Sequence, residues 1–417
     1  MFIRRILVTA VAGVSLFLSG CNQPQETIKI GWIDPLSGAF ANVGENGLRS
    51  LELVVEQINE RGGVLGGSKF EVVALDGKAN PQDSLIALRK LADQKVKYVF
   101  QANSSAVAGA LTEAIAKHNK RNPDSAMIFM NYGAVDPALT NERCNFWHFR
   151  FDADIDMKML ALSDAIAADL SIKKVYLINQ DYSFGHAVSK VGKSMLAQKR
   201  PDIEIVGDDL HPLGKVKDFS PYIAKIRASG ADSIITANWG ADLALLIKAA
   251  NDSGADVDFY TYYAGIAGGP TAIGLAGVDR VKQVGHWHVN VGGEVSDETV
   301  EAYRSRYPEY HDDLFFLTLK YGMELLAQSI DEVGSTDALS VARTLEQQGR
   351  YKSVTGDVWI REDNHQLMQP LYVSTFKKLG EEGVKYEVER TGTGPRTDYM
   401  VAAEDTVLPT TCDMVRP

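Results

Sequence analysis

Two adjacent serines, Ser104 and Ser105, stand between a short apolar run, Tyr98 to Phe100, and a helix-forming stretch that reaches Lys117. The run reads as a buried parallel strand and the serines as the N-cap of the helix after it. Unpaired backbone N–H groups, two hydroxyls and the partial positive charge of a helix start then converge at one point. The chemistry offered there is capture of a small carboxylate or another acceptor. Taken alone, the pair fits an ordinary capped helix better than a site. The balance shifts because the rest of the chain supplies a second wall.

Other residues invite chemistry and lose it on inspection. The serines lack the Gly-x-Ser-x-Gly elbow of a hydrolase. Gly62 to Gly67 is glycine-rich but follows a helix, the wrong context for a dinucleotide loop, and no Walker sequence is present. His286 and His288 would share one face of a strand, a spacing metals use, yet no third ligand accompanies them. Tyr260, Tyr262 and Tyr263 fit strand-face packing at least as well as ligand stacking. No enzyme activity, cofactor or metal is therefore expected.

The elements that must position the serines need more than one core, because 417 residues exceed an ordinary single domain. A net charge of −11 without any basic block argues against nucleic acid as a partner. Arg4 and Arg5 precede an apolar run from Ile6 to Leu18 that is too short to span a bilayer, and Leu18-Ser-Gly-Cys21 follows. Residues 1–21 thus read as a signal peptide, and Leu18-Ser-Gly-Cys21 resembles the bacterial lipobox, whose cysteine is acylated. On that likeness Cys21 is the lipid anchor of an exported protein held at a membrane surface. In an exported chain the remaining pair, Cys144 and Cys412, is expected to form a disulfide.

Patterning then sets out the scaffold. Strands are expected at Ile28 to Ile33, Phe70 to Leu75, Tyr98 to Phe100 and Met127 to Met130, with helices between them; Asn80-Pro81 marks one helix start. After an extended segment, Phe146 to Phe151, the βα winding begins again and runs to a strand at Phe259 to Tyr263. A strand over Val281 to Val289, three helices between Asp297 and Gln348, and strands at Val354 to Ile360, Leu371 to Phe376 and Val384 to Glu389 complete the chain. The pattern is α/β, with two similar parallel-sheet halves and helices on both faces. Ligands sit beyond the carboxyl ends of such strands, so two facing edges define a cleft and the crossing segments a hinge.

The order of motifs resembles the leucine/isoleucine/valine-binding type of periplasmic substrate-binding proteins, which serve ABC importers. The likeness spans the chain after Cys21. It rests on Ile30-Gly-Trp-Ile-Asp-Pro-Leu-Ser-Gly38, Ile58-Asn-Glu-Arg-Gly-Gly63, Asn103-Ser-Ser105, Gly133-Ala-Val-Asp-Pro137 with Leu139-Thr140, Asp181-Tyr-Ser-Phe-Gly185, and Pro308. The resemblance implies the type I periplasmic-binding-protein fold: two Rossmann-like doubly wound lobes joined by a three-segment hinge. Residues 27–149 with 290–352 would form the first lobe, and 150–289 with 353–417 the second. It also implies that Ser104 grips a ligand carboxylate with its hydroxyl and amide, Ser105 standing beside it, while the main chain of Gly133 and Ala134 completes the clamp. Val135 occupies the place of an assisting threonine. Phe184 with Tyr182 closes over the ligand from the second lobe, Trp239 lines the pocket, and Val43 lies in a loop that adds an apolar wall.

One departure bears on the ligand. Amino-acid binders of this class place an acid after the strand at Phe259, whereas this chain has Tyr262-Tyr263-Ala-Gly265, which puts Tyr263 at the pocket. A buried ammonium without a partner is strongly disfavoured. Either Asp136 or Asp34 moves in, or the ligand carries no amino group and is an amide or an aromatic carboxylate. The expected function is capture of a small amino acid, amide or carboxylate by hinge closure and delivery to ABC permease subunits in the membrane, by a monomer. An extracytoplasmic sensor or envelope adaptor of the same fold is the alternative.

Overall fold

The computed structural model describes residues 27–417, so the expected signal peptide and Cys21 lie outside the described residues. The first half winds as β1 (Ile28–Asp34), α1 (Ala41–Glu60), β2 (Phe70–Asp76), α2 (Pro81–Asp93), β3 (Tyr98–Gln101), α3 (Ser105–Arg121), β4 (Ile128–Asn131) and β5 (His148–Arg150). Its strands form one parallel sheet in the order β2-β1-β3-β4-β5. The two faces of β1 show why helices must cover both sides. Ile30 and Trp32 enter one core, while Ile33 enters another with Leu88, Leu91, Val99 and Phe129.

The second half comprises α4 (Ile155–Ala168), β6 (Lys174–Gln180), α5 (Ser183–Lys199), β7 (Glu204–His211), α6 (Ser220–Ser229), β8 (Ser233–Thr236), α7 (Gly240–Asp252), β9 (Asp258–Thr261), α8 (Gly269–Ile273) and β10 (Val281–Gly285). The chain continues through α9 (Glu294–Arg306), α10 (Leu317–Val333) and α11 (Ala338–Gln347), of which α10 packs on α1 and returns the chain to the first sheet. A small antiparallel sheet follows, β11 (Tyr351–Ser353), β12 (Gly356–Ile360) and β13 (Leu367–Met368). Finally β14 (Leu371–Lys378) and β15 (Thr393–Val401) add antiparallel to the second sheet, whose order is β15-β14-β10-β9-β8-β6-β7.

Two lobes, the first on a parallel sheet and the second on a mixed one, are therefore joined where the chain passes between them, at 151–154, 286–293 and 361–370. These segments bond to one another: Gln366 Nε2 donates to the Asp152 carbonyl at 2.9 Å, Gln369 Nε2 to the Phe151 carbonyl at 2.6 Å, and His286 Nδ1 lies 3.2 Å from Asp152 Oδ1. Beyond Val401 the tail runs back along the first lobe. Thr410 Oγ1 donates to the Thr140 carbonyl at 3.0 Å, and Cys412 is bonded to Cys144, closing a separation of 268 residues. The division expected at 352/353 falls inside the β11–β12 hairpin, where Tyr351 pairs with Val358.

Three sequence expectations give way here. Val384 to Glu389 is a loop and the strand lies later, over Thr393–Val401. Glu389 and Arg390 both hold left-handed backbone (φ 50° and 53°), which no strand accommodates. The strand expected to reach Val289 stops at Gly285, so His286 and His288 do not share a strand face; His288 Nε2 contacts Thr397 Oγ1 instead, at 2.9 Å. Helix α4 went unread because Ile155, Met157, Met159, Ala161 and Leu162 are all buried and leave no single apolar stripe.

Candidate ligand-binding site

The carboxyl ends of the two sheets face each other across a narrow cavity between the lobes. From the first lobe, the start of α3 supplies Ser104, its N-cap, and Ser105, its first residue, and the turn after β4 supplies Gly133, Ala134 and Val135. From the second lobe come Tyr182 and Phe184 at the start of α5, Trp239 at the start of α7, and Tyr263 beyond β9. Nine of the residues expected from sequence thus converge on one cavity. Val43 does not join them: it lies inside α1, fully buried, and its side chain faces Gly240.

Sequence reasoning missed Phe316, Ile266, Ala102 and Asn103, which also line the cavity. Phe316 was hidden by an expected helix from Leu314. That helix begins at Leu317, which frees Phe316 to turn its ring onto Tyr132 at 5.0 Å. No signal in the sequence marked Ile266.

The strand end beneath the serines is shaped by Asp34. Its carboxylate accepts from Ala102 N (3.1 Å), Asn103 N (2.8 Å) and the Tyr132 hydroxyl (2.6 Å). Burial raises its pKa to about 7, against the pull of those donors. Asp136 caps the turn at Pro137 by accepting from Ala138 N at 3.1 Å. Neither acid lines the cavity, and no Asp, Glu, Lys, Arg or His does among the described residues.

Ser104 carries φ 92° and ψ 110°, a sparsely populated conformation for a residue with a Cβ. Its side chain makes no capping bond to α3, so the sequence was right about the position and wrong about the hydroxyl. Among the described residues, neither serine hydroxyl nor either serine N–H has a protein partner.

The amides after β4 behave differently from what the resemblance implies. Asn131 Oδ1 accepts from both Gly133 N (3.2 Å) and Ala134 N (2.7 Å), and the Gly133 carbonyl accepts from the Tyr263 hydroxyl at 3.2 Å. The main-chain clamp expected of Gly133 and Ala134 is thus already spent inside the protein. Among the described residues the N–H groups of Val135 and Asp136 are the donors of this turn left without a protein partner, and of the two only Val135 lines the cavity.

Contacts across the cleft draw the lobes together. The Phe40 and Trp239 rings lie 4.2 Å apart, and Asn42 Nδ2 donates to the Ala267 carbonyl at 2.7 Å. Trp239 Nε1 in turn donates to the Tyr182 hydroxyl at 2.9 Å. Behind Tyr263 lies a buried ion pair, Lys158 Nζ to Asp152 Oδ2 at 2.6 Å; the ammonium sits 4.6 Å from the Tyr263 ring centre.

A two-lobed α/β protein with hydrogen-bond donors on one jaw and aromatic rings on the other defines a class, receptors that enclose one small molecule. The family model described as periplasmic binding protein matches residues 27–381. Among curated relatives, Leu/Ile/Val-binding protein homolog 4 of Brucella melitensis is 30% identical over 401 residues, covering 93% of this chain and 94% of that protein. Among solved structures, the closed conformation of a leucine-, isoleucine-, valine-, threonine- and alanine-binding protein from Brucella ovis superposes with TM-score 0.82 at 27% identity, over 94% of this chain and all of that one. A solute-binding protein of an R. palustris ABC transporter, solved with benzoate, shares the fold with TM-score 0.76 at 19% identity, over 93% of this chain and 100% of that one. The chain belongs to the periplasmic binding proteins, of the Leu/Ile/Val-binding type that act as substrate-binding components of ABC importers.

Proposed function

We propose that this protein captures a small carboxylate that bears no ammonium, encloses it by hinge closure and delivers it to membrane permease subunits, without transforming it. The observation that carries the reading is the chemistry of the cavity wall: unpaired donors of Ser104, Ser105 and Val135 on one side, rings on the other, and no charged side chain among the described lining residues. Donors at a helix start suit an anion. An ammonium enclosed there would meet only rings and dipoles, which offset little of its desolvation. Planar acids fit rings better than leucine does.

The reading includes a lipid anchor at Cys21, a monomer, and lobes divided near the three crossovers, with the β11–β13 sheet and the tail beyond Val401 grouped with the first lobe. A second reading, an aliphatic amino acid, is favoured by the Brucella ovis relative, whose name gives leucine and alanine among its ligands. Calorimetry of the mature protein with benzoate, 4-hydroxybenzoate, leucine and leucinamide separates the two. We expect the aromatic acids to bind at least tenfold more tightly than leucine; tight leucine binding with silent acids would overturn the proposal.

A further inference from the structure

The turn that carries Val135 is held by two residues that do not line the cavity. Asn131 ends β4 and His148 begins β5, and both are buried on adjacent parallel strands. Asn131 Oδ1 faces two N–H groups, those of Gly133 and Ala134, so the amide has one permitted orientation; turned over, its NH2 would face two donors. Its Nδ2 must then donate to the Ala134 carbonyl at 2.8 Å and to His148 Nε2 at 3.0 Å. An Nε2 that accepts leaves the ring proton on Nδ1, which donates to the Leu139 carbonyl at 3.2 Å. Carbonyl, imidazole, amide and turn form one chain with every donor matched to an acceptor, and no member can turn over alone without placing like against like.

We propose that His148 and Asn131 are positioning residues that decide which main-chain donors the bound ligand meets: the imidazole locks the Asn131 amide, the amide withdraws Gly133 and Ala134 N–H, and Val135 N–H is left for the ligand. The inference rests on the carboxylate reading above for its meaning, though the relay itself does not need a ligand. Burial drives the His148 pKa down to about 3, so the neutral ring that the relay requires persists through ordinary pH. In this account the pocket is tuned for few donors, Ser104, Ser105 and Val135, rather than for a continuous run of amides.

Amide hydrogen exchange resolved by NMR on the ligand-free protein tests the relay. In the wild type, Gly133 and Ala134 N–H should exchange slowly. His148→Ala should raise both rates at least tenfold while amides of β6 in the other lobe keep theirs, and His148→Gln, which sets an acceptor near the place of Nε2, should restore protection. Unchanged rates in His148→Ala, or a uniform rise across both lobes, would overturn the proposal. The functional arm is calorimetry with benzoate and leucine: whichever binds the wild type should bind Asn131→Ala at least fivefold more weakly, with His148→Gln near wild type. Should neither bind the wild type, the carboxylate reading fails, and the exchange rates still decide the relay.

Discussion

At the scale of the residue, the side chain that decides most is Ser104, which lines the cavity on a strained backbone and makes no capping bond to α3. Replacing it by alanine removes a charge-assisted hydrogen bond and should weaken ligand binding by about 1 to 3 kcal/mol, read by calorimetry. Glycine at the same place should separate binding from stability. It accepts φ 92° freely, so denaturant melts should show Ser104→Gly about 1 kcal/mol more stable than Ser104→Ala, though equally poor at binding. Titration offers a second test. His148 and His288 are buried with pKa values pushed down to about 3 by desolvation. In the unfolded chain they would protonate near the ordinary value of 6.5. The unfolded state then binds the extra protons, so stability is lost as pH falls from 6.5 toward 3, by up to about 1.4 kcal/mol per pH unit for each ring. Asp34, raised to about 7, runs the other way between 3.8 and 7 and blunts the slope. His148→Gln should therefore flatten the acid side of a stability profile measured by urea melts.

At the scale of the element, the starts of α5 and α7 bring Tyr182, Phe184 and Trp239 to the cavity. Helix α5 can begin where it does because Gly185 passes close to the end of β6: a Cβ there would lie 1.9 Å from the Gln180 carbonyl oxygen. Backbone cannot yield as a flexible side chain can. Gly185→Ala should push the helix start off the sheet, cost at least about 2 kcal/mol in stability and weaken binding as well, because Tyr182 and Phe184 move with it. The loop that replaced the expected strand at Val384 has a task of its own. Glu389 accepts from Gly268 N (2.5 Å), Thr271 N (2.8 Å) and Thr271 Oγ1 (2.5 Å), fixing the short α8 beside Ile266 of the cavity wall.

At the scale of the molecule, closure and tethering are the issue. The ring contact of Phe40 with Trp239 and the Tyr263 to Gly133 hydrogen bond join opposite lobes, so they exist only when the cleft is shut. A ligand that adds contacts to both walls shifts the balance toward that state. The disulfide between Cys144 and Cys412 holds the returning tail to the first lobe. Replacing both cysteines by serine should lower stability by about 2 to 4 kcal/mol, seen as an earlier thermal midpoint. Affinity should stay within about twofold, because neither cysteine lines the cavity.

Periodicity and punctuation in the sequence determined the α/β winding, its two halves and the helix start at Ser104, since apolar spacing and capping residues act locally. Cysteine count in an exported chain determined the disulfide. Motif resemblance brought Tyr182, Phe184, Trp239 and the turn after β4 to notice. Only the tertiary structure decided that Val43 faces Gly240 rather than the cavity, that Phe316 and Ile266 help to line it, and that Asn131 consumes the amides of Gly133 and Ala134. These outcomes depend on which groups meet across sheet edges and between lobes. A hydrogen bond donated to His148 by an amide seventeen positions earlier leaves no local pattern, because its partners become neighbours only once β4 and β5 pair.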